Sequence, residues 1–531
     1  MIPEPTIDMG DLLPASATKR RITGDTQFMF QFYKPCIHFY APSEQTATYM
    51  NKDMLYQSLV VALHGCPLLF GRIKVNGRDK SVWIEYDPRD CNLPTLEFQH
   101  LDTTTYEYFK QEGFSYSAAR DKGLAMPIPD GTISAAEGMK QRRRQPMLMV
   151  KVSYLADGGV AIFNMSNHVA FDGNAVFSFL AHWAECNRRI GSGELQADAM
   201  CKLAIPRELQ TYATSLVDTA ADTDDNDSRG NSSMDHNSIW EEEGLAEISV
   251  SATKTLEEIK ALINKRVPDG ERIRSCVFGL PLAKLSALSQ QVRNSGMVGP
   301  DERVSTNSVL TAFVCQCIAR ASTEAQTYAA GDWTVFQTMD MRRALGLPPG
   351  GLGSPVILAE SQATYAEMAC TPASNPLHFA LVAKRIRQSI NKYSRDYLQH
   401  GMRWMNRAYA QLVRDGVDAP WQRFWFTALN TNRRAVGLSC MDRIPVYGAD
   451  FGAGRPAMAR SINPRPNYVI SFPGPPASSA AGNNNGSSSS GGGGCDYSEL
   501  HLYVSLESRA MEALMADKSW SALCALICSE S

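Results

Sequence analysis

The sequence predicts an α/β protein built as two lobes. Three observations carry that expectation. Segments with apolar residues at helical spacing alternate with short apolar runs of strand length, both kinds recur along the chain, and one acidic stretch divides it. At 531 residues the chain also exceeds what one ordinary core holds.

The elements follow in order. Residues 54–63 carry apolar side chains at helical spacing. Residues 147–154 and 159–165 read as strands, and Asp157-Gly158-Gly159 between them supplies a turn signal. Helical spacing returns at 176–183, where Val176, Phe179, Leu180 and Trp183 share one face. Residues 217–244, rich in Asp, Asn and Ser, bury too little surface to offset the entropy of ordering and read as a flexible linker. Beyond it, 309–318 and 381–390 are helical. Residues 468–472 and 498–506 are strands, the second with Leu500, Leu502, Val504 and Leu506 alternating. The low-complexity tract between those strands enlarges a hairpin tip, where insertion costs little. The expected division is therefore a first lobe at 1–216, the linker at 217–244, and a second lobe at 245–531 with an insertion at 476–495.

A net charge of −3 argues against a protein whose task is neutralising nucleic-acid phosphate. No run reaches the ~18–20 apolar residues that span a bilayer. The best candidate, 59–69, is broken by His64, Gly65 and Pro67. Glu4, Asp8 and Asp11 do not fit a secretory signal. A cytoplasmic, monomeric enzyme or binding protein is expected, with no nucleic-acid or membrane partner. The thirteen cysteines lack any CxxC pair and read as reduced core residues, with no metal site.

The chemistry concentrates at His168-Val169-Ala170-Phe171-Asp172-Gly173, between a strand end and a helix start. A histidine there reaches into a cleft, and its ordinary pKa of ~6.5 suits taking a proton from a hydroxyl or amine. Of nine histidines, only this one has Asp four positions on and Gly next. Read alone, Asp172 serves equally as a helix N-cap and His168 as a turn residue. The second signal is Asp450-Phe451-Gly452-Ala453-Gly454, whose glycines imply a tight loop. No Gly-rich phosphate loop or HRD segment accompanies it, which dismisses a kinase.

Together these motifs resemble the BAHD acyl-CoA-dependent acyltransferases, including fungal relatives such as trichothecene acetyltransferases and plant hydroxycinnamoyl transferases. The family pattern HxxxDG followed by DFGWG is matched at 168–173 and 450–454. Residues 55–59 and 67–72 resemble the first helix and the PLAGR turn, and 305–321 a helix opening the second half. Asp340-Met341-Arg342 with Pro348-Pro349 is similar to the DGRxR…PPLP segment, and 439–445 to a stretch before DFGWG.

The resemblance implies two pseudo-symmetric, chloramphenicol-acetyltransferase-like lobes of mixed sheets flanked by helices, joined by a long crossover, with a solvent channel between them. Acyl-CoA would be the co-substrate and a small-molecule alcohol or amine of secondary metabolism the acceptor, with no permanently bound cofactor. His168 would be the general base in a ternary complex, without an acyl-enzyme. Asp172 would turn away from substrate and pair with Arg342, orienting the loop that includes Gly173. Ser439 would be an oxyanion or acceptor contact. Asp450, Phe451, Gly452 and Gly454 would form the motif along the channel. The basic residues Lys384, Arg385, Arg387, Lys392 and Arg395, and the run Arg142-Arg143-Arg144, suit either CoA phosphates or a solvated face, and no individual contact is assigned. Two departures stand out: Asn167 where many members have a second His, and Ala453 where the motif has Trp. The competing readings are a carrier-protein-dependent condensation enzyme, against which Asn167 and the second motif count, and a catalytically silent binding protein on the same fold.

Overall fold

The computed structural model describes residues 18–22, 33–64, 66–75, 82–126, 146–194, 272–299, 302–324, 331–398, 414–416, 434–462, 466–476 and 497–530. The expected linker at 217–244, the arginine run at 142–144 and nearly all of the 476–495 insertion lie outside these residues.

The chain begins with β1 (Thr18–Ile22), β2 (Tyr33–Tyr40), α1 (Glu44–Tyr49) and α2 (Lys52–His64). A 3-10 turn at Pro67–Phe70 leads into β3 (Arg72–Val75), β4 (Val82–Tyr86) and β5 (Thr95–Leu101). Helices α3 (Tyr106–Gln111) and α4 (Tyr116–Asp121) precede β6 (Leu148–Leu155), β7 (Val160–Asn167) and the long α5 (Gly173–Gly191). The expected turn closes the β6–β7 hairpin, with Gly158 at φ +87, a conformation that favours glycine. The Asp157 carboxylate there accepts the Tyr106 N–H at 3.0 Å.

The second half supplies β8 (Ile273–Pro281), α6 (Leu282–Asn294), α7 (Thr306–Glu324), β9 (Trp333–Asp340), α8 (Arg342–Leu345) and β10 (Val356–Ala363). Then come α9 (Tyr365–Ala369), α10 (Pro376–Asn391), β11 (Ala435–Cys440), β12 (Met458–Ser461), β13 (Tyr468–Pro473) and β14 (Glu499–Glu507). The chain finishes with α11 (Ser508–Ala516), α12 (Lys518–Leu523) and β15 (Ala525–Ser529).

Among the described residues these strands form three sheets: β1-β4-β3, β12-β2-β7-β6-β5 and β10-β9-β11-β13-β14-β8-β15. The fold is mixed α/β, with sheets flanked by helices. β7 is central in its sheet and buried at every position, which is why Val160–Phe163 are apolar without alternation and why Asn164 and Ser166 are enclosed as well. In the largest sheet β11 runs parallel to β9 and β13, while β13 and β14 pair antiparallel as the two expected hairpin flanks. Helix α7 lacks a polar face because α6, α10 and α11 enclose it.

One strand crosses between halves. Residues 458–461, which the sequence groups with the second lobe, pair antiparallel with β2, placing Arg460 opposite Ile37. The crossing covers the backbone of β2 that would otherwise form an open edge. The apolar cluster below is likewise shared: Val446, Phe451, Ala459, Phe472 and Tyr503 join Leu59, Phe179 and Trp183.

His38 on β2 fastens the same segment. Its Nε2 lies 3.0 Å from the Val446 carbonyl oxygen, an acceptor only, so Nε2 carries the proton. The ring meets Phe177 edge-on at 5.8 Å. Burial pushes the His38 pKa down to about 4. Because its unfolded value is ~6.5, protons bind the unfolded chain preferentially, so stability is full above ~6.5 and falls as pH drops towards 4. Urea denaturation at pH 7 and pH 5 should show this one group costing about 2 kcal/mol across that interval. A His38→Gln variant, which keeps the donor but does not titrate, should lose that part of the pH dependence. An equal pH slope in both proteins contradicts the assignment.

Candidate active site

His168 stands directly after β7, half-buried, in a turn shaped by Asn167. The Asn167 side-chain oxygen accepts the Val169 N–H at 3.0 Å, and its backbone carbonyl accepts the N–H groups of Ala170 and Phe171, both at 3.1 Å. Asn167 therefore builds the turn that presents the histidine.

Asp172 does two jobs. One carboxylate oxygen accepts the Ala175 N–H at 2.9 Å and caps α5, a contact worth about 1 kcal/mol. Both oxygens also receive Arg342, at 2.5 Å from Nη1 and 2.9 Å from Nη2. The pair is almost fully shielded from water, Arg342 being 2% and Asp172 5% exposed. Burial raises the Asp172 pKa, and the Arg342 charge and hydrogen bonds oppose that rise. Asp340 completes the cluster: it accepts the Arg342 backbone N–H at 2.8 Å, lies 3.2 Å from Nη1, and accepts the Asn174 side-chain amide at 2.7 Å.

The remaining donors of Arg342 reach into the loop before β10. Nη2 donates to the carbonyls of Gly351 at 2.8 Å and Gly353 at 3.3 Å. That loop docks on the histidine turn as a short parallel bridge between Phe171 and Gly353. The Gly353 N–H donates to Ala170 O at 2.7 Å, and the Asp172 N–H to Gly353 O at 3.1 Å. Gly353 has φ +126, so this docking requires a glycine. The next residue, Ser354, is buried with its hydroxyl oxygen 3.0 Å from His168 Nδ1. No sequence motif singled Ser354 out.

The other expected residues fall into two groups. Gly173 opens α5, where an added Cβ would crowd the Met441 and Ile444 side chains at 3.1–3.2 Å. Ser439, buried on β11, lies two residues before Met441, so its strand end leads to the start of α5. The second motif lies at the other end of that helix. Asp450 accepts the N–H groups of Gly452 at 2.8 Å and Gly454 at 3.0 Å, and both glycines have positive φ. Phe451 stacks edge-on against Trp183 at 4.8 Å, while its carbonyl accepts the Asn187 amide at 2.8 Å. Arg188 donates to the Asp450 carbonyl. The fourteen residue steps of helix from Gly173 to Asn187 span roughly 20 Å at ~1.5 Å each, so this motif braces the scaffold far from His168. Ala453 is partly buried against the shared core.

In the basic helix α10, Lys384 pairs with Glu302 at 2.7 Å, and Arg385 forms two hydrogen bonds to Glu367. Among the described residues, no group of three or more His, Cys, Asp or Glu could hold a metal ion. No described helix is long and apolar enough to cross a membrane. The described cysteines are all free, and burial pushes the Cys66, Cys317 and Cys440 thiols up to about 12.

Comparison with known proteins then decides the family. The family model described as "Transferase family" matches residues 132–473, more than half of the chain. The chain belongs to this family, the BAHD acyltransferases. It is an acyl-CoA-dependent acyltransferase. Anthranilate N-benzoyltransferase protein 1 of Dianthus caryophyllus is 22% identical over 415 residues, covering 77% of each chain. Putrescine hydroxycinnamoyltransferase 1 of Oryza sativa subsp. japonica is 24% identical over 365 residues, covering 67% of this chain and 68% of its own. The crystal structure of F. graminearum TRI101 with coenzyme A and deoxynivalenol shares the fold at TM-score 0.62 and 16% identity, covering 96% of this acyltransferase and 100% of TRI101.

The Asp172–Arg342 pair yields a direct test. Arg342→Ala strands a buried carboxylate and should cost about 3–5 kcal/mol in chemical denaturation. Exchanging both partners together, as in Asp172→Asn with Arg342→Met, should recover much of that loss. A single variant as stable as the parent would show that the pair contributes nothing.

Proposed function

We propose that the protein transfers an acyl group from an acyl-CoA thioester to a hydroxyl or amine of a small-molecule acceptor, with His168 as the general base. The observation that carries this reading is the hold on His168. The ring follows a buried strand, and its Nδ1 is engaged by Ser354 at 3.0 Å, which supports Nε2 as the nitrogen that exchanges a proton.

The steps follow from that assignment. Nε2 takes the acceptor's proton as its oxygen or nitrogen attacks the thioester carbonyl. The tetrahedral intermediate then collapses, breaking the carbon–sulfur bond, and the imidazolium returns the proton to the departing CoA thiolate. Both substrates are present at once, so no acyl-enzyme forms. The high pKa values that burial imposes on Cys66, Cys317 and Cys440 fit that mechanism, because a thiol nucleophile acts as thiolate. Ser439 is the candidate hydrogen-bond donor to the developing oxyanion or to the acceptor. The relatives include an N-benzoyltransferase and a hydroxycinnamoyltransferase, which favours aromatic acyl donors and amine acceptors as the first substrates to test.

A matrix of acetyl-, benzoyl- and hydroxycinnamoyl-CoA against small alcohols and amines, read by product mass and free-thiol release, tests the reaction. On the best pair, His168→Ala should lower turnover about 10²–10⁴-fold with an unchanged circular-dichroism spectrum. Turnover equal to the parent's would overturn the base assignment. A requirement for a carrier-protein-bound donor would favour condensation chemistry instead.

A further inference from the structure

We propose that Ser354 is a positioning residue that sets the tautomer of His168, and that the Asp172–Arg342 ion pair acts on the reaction by delivering it. The inference deepens the base assignment and rests on it.

An imidazole works as a base through Nε2 only when Nδ1 carries the proton, and once Nε2 is protonated both nitrogens are donors. Nδ1 therefore needs an acceptor before and during proton transfer. In this fold the Ser354 oxygen, 3.0 Å away, occupies that position. A serine hydroxyl can also donate. Donation to Nδ1 would leave the proton on Nε2 and silence the base, so the productive arrangement is the one in which Ser354 accepts.

The backbone that carries Ser354 is held from several sides. The Ser354 backbone carbonyl accepts the Val356 N–H at 2.9 Å. The preceding Gly353 exchanges backbone hydrogen bonds with Ala170 and Asp172, the residues flanking the histidine turn. Arg342 donates into the same loop at Gly351 and Gly353 while holding Asp172. One guanidinium thus holds Asp172, four residues after His168, and Gly353, the residue before Ser354. The charge of Asp172 is spent on Arg342 and its own helix. A neutral hydroxyl meets the imidazole at Nδ1.

The test compares Ser354→Ala and Ser354→Thr with the parent and with His168→Ala. Loss of one neutral hydrogen bond should lower kcat of Ser354→Ala about five- to tenfold. The KM for acyl-CoA should be unchanged. The acid limb of its kcat/KM profile should move to lower pH, because the imidazolium has lost the acceptor that favoured it. Ser354→Thr, which restores a hydroxyl, should recover both kcat and the profile. If His168→Ala is inactive while Ser354→Ala keeps the parent's kcat and pH profile, the positioning role is overturned and the base stands. If His168→Ala is fully active, the base assignment itself fails, and this inference with it.

Discussion

The rest of the site depends on one buried ion pair. Asp172 and Arg342 come from opposite halves of the chain, separated by 170 positions, and meet where almost no water reaches them. Desolvating two charges is costly, and their attraction offsets that cost only with good geometry and further hydrogen bonds. Both conditions hold. The contact is bidentate, Asp172 also caps α5, and Arg342 also binds Asp340 and two loop carbonyls. A lysine could not replace it, because one ammonium cannot fork across a carboxylate and still reach that loop. Specificity of register is what the pair supplies: the histidine turn has one position against the second half.

Helix α5 is the strut that carries this register through the molecule. At its start it is tied to Asp340, Arg342 and the 351–354 loop; at its end Asn187 and Arg188 hold the 450–452 turn. Between them Trp183 ties α5 to α2 by donating to Ser58, while its ring packs on Phe451. The two sequence motifs are therefore the two ends of one mechanical element. That explains how a replacement such as Ala453 can sit in the second motif while the geometry around His168 is intact.

The sequence made the local part of this readable. His168, Asp172 and the α5 face are set by short-range spacing, and the β6–β7 and β13–β14 hairpins by patterns a few residues long. Arg342 came from resemblance, since nothing local marks an arginine at a strand end as the partner of a residue in the other half. Ser354 was invisible for the same reason in stronger form. It lies in a glycine-rich loop before Pro355 and acquires its role only when the Phe171–Gly353 bridge forms. The crossing strand was missed because Met458-Ala459-Arg460-Ser461 is too short to show alternation, and its pairing is decided by the exposed backbone of β2.

That crossing strand also dictates when the protein can finish folding. A chain emerging from the ribosome makes β2, β7, β6 and β5 early, yet the strand that completes their sheet is more than 400 residues downstream of β2. At synthesis rates of roughly 5–20 residues per second, β2 waits about 20 to 80 seconds with an unpaired flank. During that interval the nascent first half is a template for stray strands from neighbouring polypeptides. Only the late arrival of β12 closes that flank.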